Sequence, residues 1–251
     1  MHNLLNGRRV LVTGGARGLG LAFAEAIAGA GARVVIADIL AEPLEAAAQN
    51  LRQRDLDVQA LRLDLADPAS VEACAARTVE LLGGLDGLVN NASITNSGGK
   101  GLDELEIEMF DRVLQVNVRG TWLMTRACLP ALRASGRGAV VNLASDTPLW
   151  GAPNLLAYVA SKGAVIAMTR SIAREVGDDG VTVNAIAPGL VEVEATAYVP
   201  EARHQHYKQH RAIRRAQLPE DVNGAVLFAL SDLSRFITGQ TLPVNGGFVM
   251  P

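Results

Sequence analysis

Tyr158 and Lys162 stand four residues apart in the stretch "LLAYVASKGAV", residues 155–165. In a helix that spacing is about one turn, which sets the phenol and the ammonium on one face, roughly 6 Å apart along the axis. A phenol with an ordinary pKa of about 10 is a poor acid or base at neutral pH. A cation held beside it favours the phenolate and lowers that value. Such a pair could exchange a proton with a substrate oxygen. A tyrosine resting on a lysine stem has the same spacing, so the pair needs further groups around it before it means catalysis.

A second constellation lies near the N-terminus, in "VTGGARGLG", residues 12–20, which follows a short β-branched run and opens a helical pattern. Gly14 permits a tight turn, Gly18 lets the backbone approach a pyrophosphate, and Gly20 lets the helix pack against the strand. The free N–H groups of the helix start would then face the phosphates, with Arg17 and Leu19 alongside. Asp38 ends the next apolar run, "RVVIAD". A carboxylate there accepts hydrogen bonds from both hydroxyls of an adenosine ribose and repels a 2′-phosphate. Arg17 argues the other way, because its guanidinium could meet that phosphate. Asp38 stands closer to the 2′ position, so NAD is expected in preference to NADP.

The elements that must position these groups read as an alternation. Strands are expected at "RRVLVTG", "ARVVIAD", "VQALRLD", "LDGLVNNA", "GAVVNLAS", "VTVNAIAPG" and "GQTLPVNGG". Helical spacing lies between them, over about 19–30, 41–54, 68–82, 103–134 and 154–177. Near-continuous apolar strands alternating with helices imply a parallel sheet covered on both faces. The expected fold is therefore α/β, a Rossmann-type doubly wound fold with a seven-stranded parallel sheet, in one unit of residues 1–251. Residues 190–218 break the rhythm: they are polar, histidine-rich and weakly helical, and are expected to form a lid over the substrate. His204, His206 and His210 in that stretch lack an acidic partner, so no metal site is expected.

Composition narrows the function. With a net charge of −3 and both signs mixed, the chain offers no basic field to nucleic acid or an anionic membrane. Cys74 and Cys128 have neither metal spacing nor a disulfide framework. The N-terminal stretch is too short and too charged for a signal peptide, and no apolar run is long enough to span a bilayer. A reducing, cytoplasmic location is expected.

Five motifs in order then make the chain resemble the short-chain dehydrogenase/reductase family from end to end. These are the G-x-x-x-G-x-G loop, "NNA" at 90–92, Asn117 in "VNVRGT", Ser145 thirteen residues before Tyr158 in Y-x-x-x-K, and "PG" at 188–189. The resemblance implies hydride transfer between NAD(H) and a secondary alcohol or its ketone. Tyr158 would be the general acid/base, and Lys162 would lower its pKa and bond the nicotinamide ribose. Ser145 would hold the substrate oxygen, and Asn117 would distort its helix and hold a water that relays protons. Ile39, Asp64, Leu65, Asn91, Ala92, Pro188, Gly189 and Val191 would line the rest of the cofactor site. Thr95, Asn96, "DTPLW" with Trp150, Asn154 and Tyr198 would face the substrate, for which a small cyclic, aromatic or sugar-like alcohol is the analogy. Three positions depart from the family pattern: Ser93 replaces a glycine, Val193 a threonine that bonds the carboxamide, and Asn245 an aspartate. A cofactor-binding regulator would be expected to lose Tyr158 or Lys162, and a same-fold dehalogenase the lysine and the glycine loop; all are kept. The two long helices are expected to pack against further copies, through small residues such as Ala157, Ala160 and Ala164, in a dimer or, preferentially, a homotetramer.

Overall fold

Seven strands of four to seven residues form one sheet, and the central ones carry almost unbroken runs of buried side chains while the two edge strands are half-exposed. In the computed structural model, which describes residues 3–250, the seven are β1 (Arg9–Thr13), β2 (Arg33–Asp38), β3 (Val58–Arg62), β4 (Gly87–Asn90), β5 (Ala139–Leu143), β6 (Thr182–Pro188) and β7 (Thr241–Val244). Residues 1, 2 and 251 of the expected 1–251 unit lie outside the described residues. All neighbours pair in parallel, in the order β3-β2-β1-β4-β5-β6-β7. The chain builds outward from β1 to β3, returns to the centre, and builds outward again from β4. Between β1 and β4 the direction of winding reverses, and in open α/β sheets ligands bind there, outside the strands' carboxyl ends.

The helices cover both faces, as apolar strands require. On one side α1 (Gly18–Gly29), α2 (Ala41–Arg52) and α9 (Glu220–Leu230) bury Phe23, Ile27, Leu44, Leu51 and Val226 against the sheet. On the other, α3 (Pro68–Leu82), α5 (Thr121–Ala134) and α7 (Leu156–Val176) bury Val71, Met124, Leu132 and Val176. Each such side chain contributes about 1.5–3 kcal/mol by leaving water.

The long helix expected over 103–134 is not continuous. Residues 102–104 form turns, α4 runs Ile107–Leu114, and the chain passes through a π-helical turn, Gln115–Gly120, before α5. Three further helices were not expected in place: α6 (Thr147–Trp150), closed by Gly151 at φ +70°, α8 (Glu201–His210) within the polar stretch, and α9 after it. The only buried residue of α8 is Tyr207.

At the edge of the sheet away from the strands' carboxyl ends, Asp86 is fully buried and accepts hydrogen bonds from two arginines. Its Oδ2 accepts from the backbone N–H and Nε of Arg9, at 2.9 and 2.8 Å, and its Oδ1 from Nε of Arg137 at 3.1 Å.

Candidate active site

The carboxyl ends of β1, β2, β4, β5 and β6 open into one cleft of about 540 Å³, within the usual range for a ligand site. Every residue expected at the cofactor lines it: Gly14, Arg17, Gly18, Leu19, Gly20, Asp38, Ile39, Asp64, Leu65, Asn91, Ala92, Tyr158, Lys162, Pro188, Gly189 and Val191. Ser145, Thr95, Asn96 and Tyr198 line it as well.

The glycine loop is shaped by close backbone approach. A methyl on Gly20 would stand 1.9 Å from the Gly14 carbonyl oxygen, and one on Gly14 would stand 2.8 Å from Cα of Ala92. Gly14 also adopts φ +69°, which side-chain-bearing residues avoid. Asn91 locks the turn from β4: its Nδ2 donates to the carbonyls of Thr13 and Gly14, at 2.9 and 3.2 Å. Above Gly18 the space stays open, since a methyl there would meet nothing nearer than 3.7 Å. Asp38 is held by backbone N–H groups, Ala16 donating to its Oδ2 and Leu40 to its Oδ1, at 3.2 and 3.1 Å. Arg17 is exposed and makes no ion pair among the described residues.

At the other end of the cleft, Lys162 is buried and its Nζ donates to the Leu143 carbonyl, 2.6 Å away at the end of β5. The same Nζ lies 5.6 Å from the centre of the Tyr158 ring. Burial lowers the Lys162 ammonium to about 8. It also pushes the Tyr158 phenol well above 10, against the opposing hydrogen bond with Ser145. Here the structure corrects an expectation: burial is the largest influence on the phenol, which is raised rather than lowered. The two shifts move the groups apart, the ammonium down and the phenol up.

Ser145 Oγ is fixed from one side. The N–H and the hydroxyl of Thr147 both donate to it, at 3.2 and 3.1 Å, which turns its own hydrogen toward Tyr158 and the cleft. Asn117 sits in the π-helical turn beneath the cleft floor. Its Oδ1 accepts from the Ile94 N–H at 2.7 Å, and its Nδ2 donates to the Ile94 carbonyl at 3.0 Å and to Ser161 Oγ at 3.1 Å. Its backbone carbonyl accepts from Thr121 Oγ1 at 2.8 Å. The side chain thus clasps the loop after β4 to α7.

Several expected residues lie elsewhere. Trp150 does not line the cleft: the short turn of α6 directs its indole to Tyr207 and Phe248, at ring-centre distances of 6.2 and 5.5 Å. Asp146, Thr147 and Asn154 are also off the cleft. Val193 does line it, but the nearest hydroxyl in sequence, Thr196, is taken up by the carbonyls of Val191 and Val193, at 2.7 and 2.9 Å. Glu194 and Ala195 face the cleft from the segment expected to form a lid, whereas Arg112 and Val116, which also face it, were not anticipated. Arg112 and Val116 flank the start of the π turn, and no spacing in the sequence marks that. His206 and His210 stack on each other, 4.2 Å apart, and among the described residues no group of three His, Cys, Asp or Glu is placed to hold a metal.

Comparison with known proteins agrees with this geometry. The family model described as Enoyl-(Acyl carrier protein) reductase matches residues 14–249. The chain is 37% identical over 249 residues to a 3-alpha-(or 20-beta)-hydroxysteroid dehydrogenase of Mycobacterium tuberculosis, covering 99% of this chain and 92% of that one. It is 36% identical over 248 residues to the 2,5-dichloro-2,5-cyclohexadiene-1,4-diol dehydrogenase LinX of Sphingobium indicum, covering 99% and 98% of the two chains. Among solved structures, levodione reductase superposes with a TM-score of 0.91 at 32% identity, covering 97% of this chain and 98% of that one. Fold, cleft and relatives define an oxidoreductase of the kind that works with a nicotinamide cofactor. The chain belongs to the short-chain dehydrogenase/reductase family. No helix among the described residues is long and apolar enough to cross a membrane.

Proposed function

We propose that the protein transfers a hydride between NAD(H) and a secondary alcohol or its ketone, with Tyr158 as general acid/base. The observation that carries this reading is the convergence of Ser145, Tyr158 and Lys162 in the same cleft as the glycine loop and Asp38. The residues fit a dinucleotide: a turn too tight for any side chain at Gly14 and Gly20, open backbone at Gly18, and an oriented carboxylate at Asp38. The nicotinamide ring would supply or accept the hydride. The chain handles the proton. In oxidation the ionised Tyr158–Lys162 pair takes the hydroxyl proton while Ser145 donates a hydrogen bond to the same oxygen. Lys162, held at Leu143, stays beside the phenol and within reach of a ribose. A water held at Asn117 would pass the proton onward. The segment 190–218 would act as a lid, since Glu194, Ala195 and Tyr198 face the cleft and the Tyr198 hydroxyl donates to the Thr95 carbonyl across it.

The test is a panel of cyclic and acyclic secondary alcohols and ketones, with an enoyl thioester included, followed by NADH absorbance. Turnover of alcohols or ketones supports the reading, and turnover of the enoyl thioester alone would replace it with double-bond reduction.

Cofactor preference rests on Asp38. Asp38→Ala should weaken NAD binding by roughly 1–3 kcal/mol through the lost charge-assisted hydrogen bonds. It should also raise the NADP-to-NAD efficiency ratio, because the repulsion goes and Arg17 stays. A wild type that already prefers NADP would refute the assignment.

We also infer a homotetramer in a reducing, cytoplasmic setting, where the buried thiols of Cys74 and Cys128 stay free. Two separate faces support assembly. One carries exposed Trp122 beside Gln115, Val118 and Met168, with exposed Met109 on α4, and the other carries exposed Leu233, Phe236 and Leu242. Ala157, expected on the first face, is buried within the chain. Two self-complementary faces give dihedral symmetry. Light scattering at micromolar concentration should return about four times the 26.4 kDa chain mass, and a monomeric mass would contradict this.

A further inference from the structure

Asp146 follows Ser145 and is fully buried, yet it does not face the cleft. Its backbone is fixed at the junction of two strand ends: its N–H donates to the Pro188 carbonyl, and its carbonyl accepts from the Leu149 N–H, both at 2.9 Å. Its Oδ1 accepts from the Tyr207 hydroxyl at 2.9 Å, a contact that spans 61 residues to reach α8. Its Oδ2 has no hydrogen-bond partner among the described residues. That oxygen lies against Gly189, where an added methyl would come within 3.2 Å of it. Sealing a carboxylate oxygen without a partner costs free energy that a neutral side chain of the same shape would not incur. A mere peg would not need the charge.

Tyr207 is the sole buried anchor of α8. It stacks on Phe248 at 4.2 Å and meets Trp150 edge-on, with the Arg211 guanidinium 5.2 Å from its ring. Arg211 is itself buried and donates to the Leu190 carbonyl at 2.8 Å. One carboxyl therefore links the residue beside Ser145 to the fastening of the polar segment between β6 and β7.

We propose that Asp146 is a positioning residue that couples the seat of α8 to Ser145, firmly when ionised and loosely when protonated. The proposal rests on the reading of Ser145 as the substrate-orienting hydroxyl and of 190–218 as a lid. An ionised carboxylate accepts a shorter, stronger hydrogen bond from a phenol than a neutral carboxyl does. Burial raises the Asp146 carboxyl to about 6, with the Tyr207 hydrogen bond opposing. The seat is therefore firm above that pH and weakens below it. The groups facing Asp146 are Tyr207 and Arg211 from the α8 side, the Trp150 indole from α6, and the amide of Asn245 beyond β7. Tyr158 feels its charge less directly. Arg203 lies 5.8 Å over Trp150, and the exposed His206 and His210 complete the surroundings on α8.

Trp150 reads the seat without any substrate, so the test stands even if the hydride-transfer reading fails. In a Trp122→Phe background, Trp150 emission should follow a one-proton transition with a midpoint near pH 6. Asp146→Asn, which keeps shape and an acceptor oxygen, should abolish it. Tyr207→Phe, which keeps the stack, should retain a transition shifted to higher pH, because the ionised form has lost its donor. His206→Asn/His210→Asn should show the same transition as the background, which separates Asp146 from the neighbouring imidazoles. Amide exchange over 201–210, corrected for intrinsic rate, should be faster at pH 5 than at pH 7.5 in wild type and equal in Asp146→Asn. With the best alcohol from the panel, Asp146→Asn should raise KM several-fold at pH 7.5 and change kcat much less. A flat wild-type profile, a transition surviving in Asp146→Asn, or one lost in the histidine variant would overturn the proposal.

Discussion

Tyr158→Phe is expected to fold, to bind NADH nearly as well as wild type, and to lose between about 10²- and 10⁴-fold in turnover, the usual weight of general acid/base catalysis. The ring still fills its place, and Lys162 keeps its hold on the Leu143 carbonyl. Only the proton-transferring oxygen is gone, and Ser145, an alcohol already engaged by Thr147, cannot replace it. Lys162→Ala should lose cofactor affinity as well as rate, because one ammonium serves both ribose and phenol. In wild type, alcohol oxidation should rise with pH along an apparent value well below 10. Burial raises the phenol and lowers the ammonium to about 8, so the first proton leaves the coupled pair near the lower figure. Ketone reduction should fall through the same range. Steady-state rates of the two directions between pH 6 and 10 check this, and near-normal turnover in Tyr158→Phe would discard the mechanism.

The second large effect concerns stability. Asp86→Asn should cost roughly 1–3 kcal/mol, because the fully buried carboxylate loses its charge-assisted hydrogen bonds to two half-exposed arginines. Burial alone would raise the Asp86 carboxyl, but hydrogen bonds from Arg9 and Arg137 more than offset it and hold the group at about 2. A depressed carboxylate stabilises the fold above its unfolded value, about 3.9, and loses that contribution as pH falls through the folded value. The wild type should therefore shed about 2 kcal/mol between pH 4 and pH 2 through this group, and the variant should not. Urea unfolding at pH 7 and at pH 3 measures both figures. Since Asp86 lies at the edge of the sheet opposite the cleft, the folded fraction of the variant should keep its turnover. A variant as stable as wild type at pH 7 would mean that the arginines find water instead.

The fold was legible because a strand buried on both faces must be apolar throughout, and such runs alternate with helical spacing. The cofactor half of the cleft was legible for a related reason: close approach admits only glycine, as at Gly14 and Gly20, and glycines are visible in a sequence. What could not be read depends on partners far along the chain. Thr147 orients Ser145 through a turn of helix that "DTPLW" does not announce. The same turn carries Trp150 away from the cleft and toward Tyr207 and Phe248. The polar stretch offered no apolar period, so its one anchor, Tyr207, looked like any other aromatic on a solvated helix. The direction of the Tyr158 shift was misjudged because spacing reports the neighbouring charge and not the loss of water around both groups.

The π-helical turn at Gln115–Gly120 has a consequence for how this protein could change. A wider turn advances the chain by an additional residue, so α4 and α5 run nearly end to end while facing different meridians, about 100° out of phase. That offset points the Asn117 amide at Ile94 and Ser161 instead of leaving it to follow the stripe of Met124, Cys128 and Leu132. The clasp thus depends on an irregularity that ordinary helix propensity works to erase. Substitutions that make the stretch a better helix would gain local order and loosen the clasp together, the familiar exchange between robustness and activity. In this chain the most regular version of that helix is the one that lets go of the loop after β4.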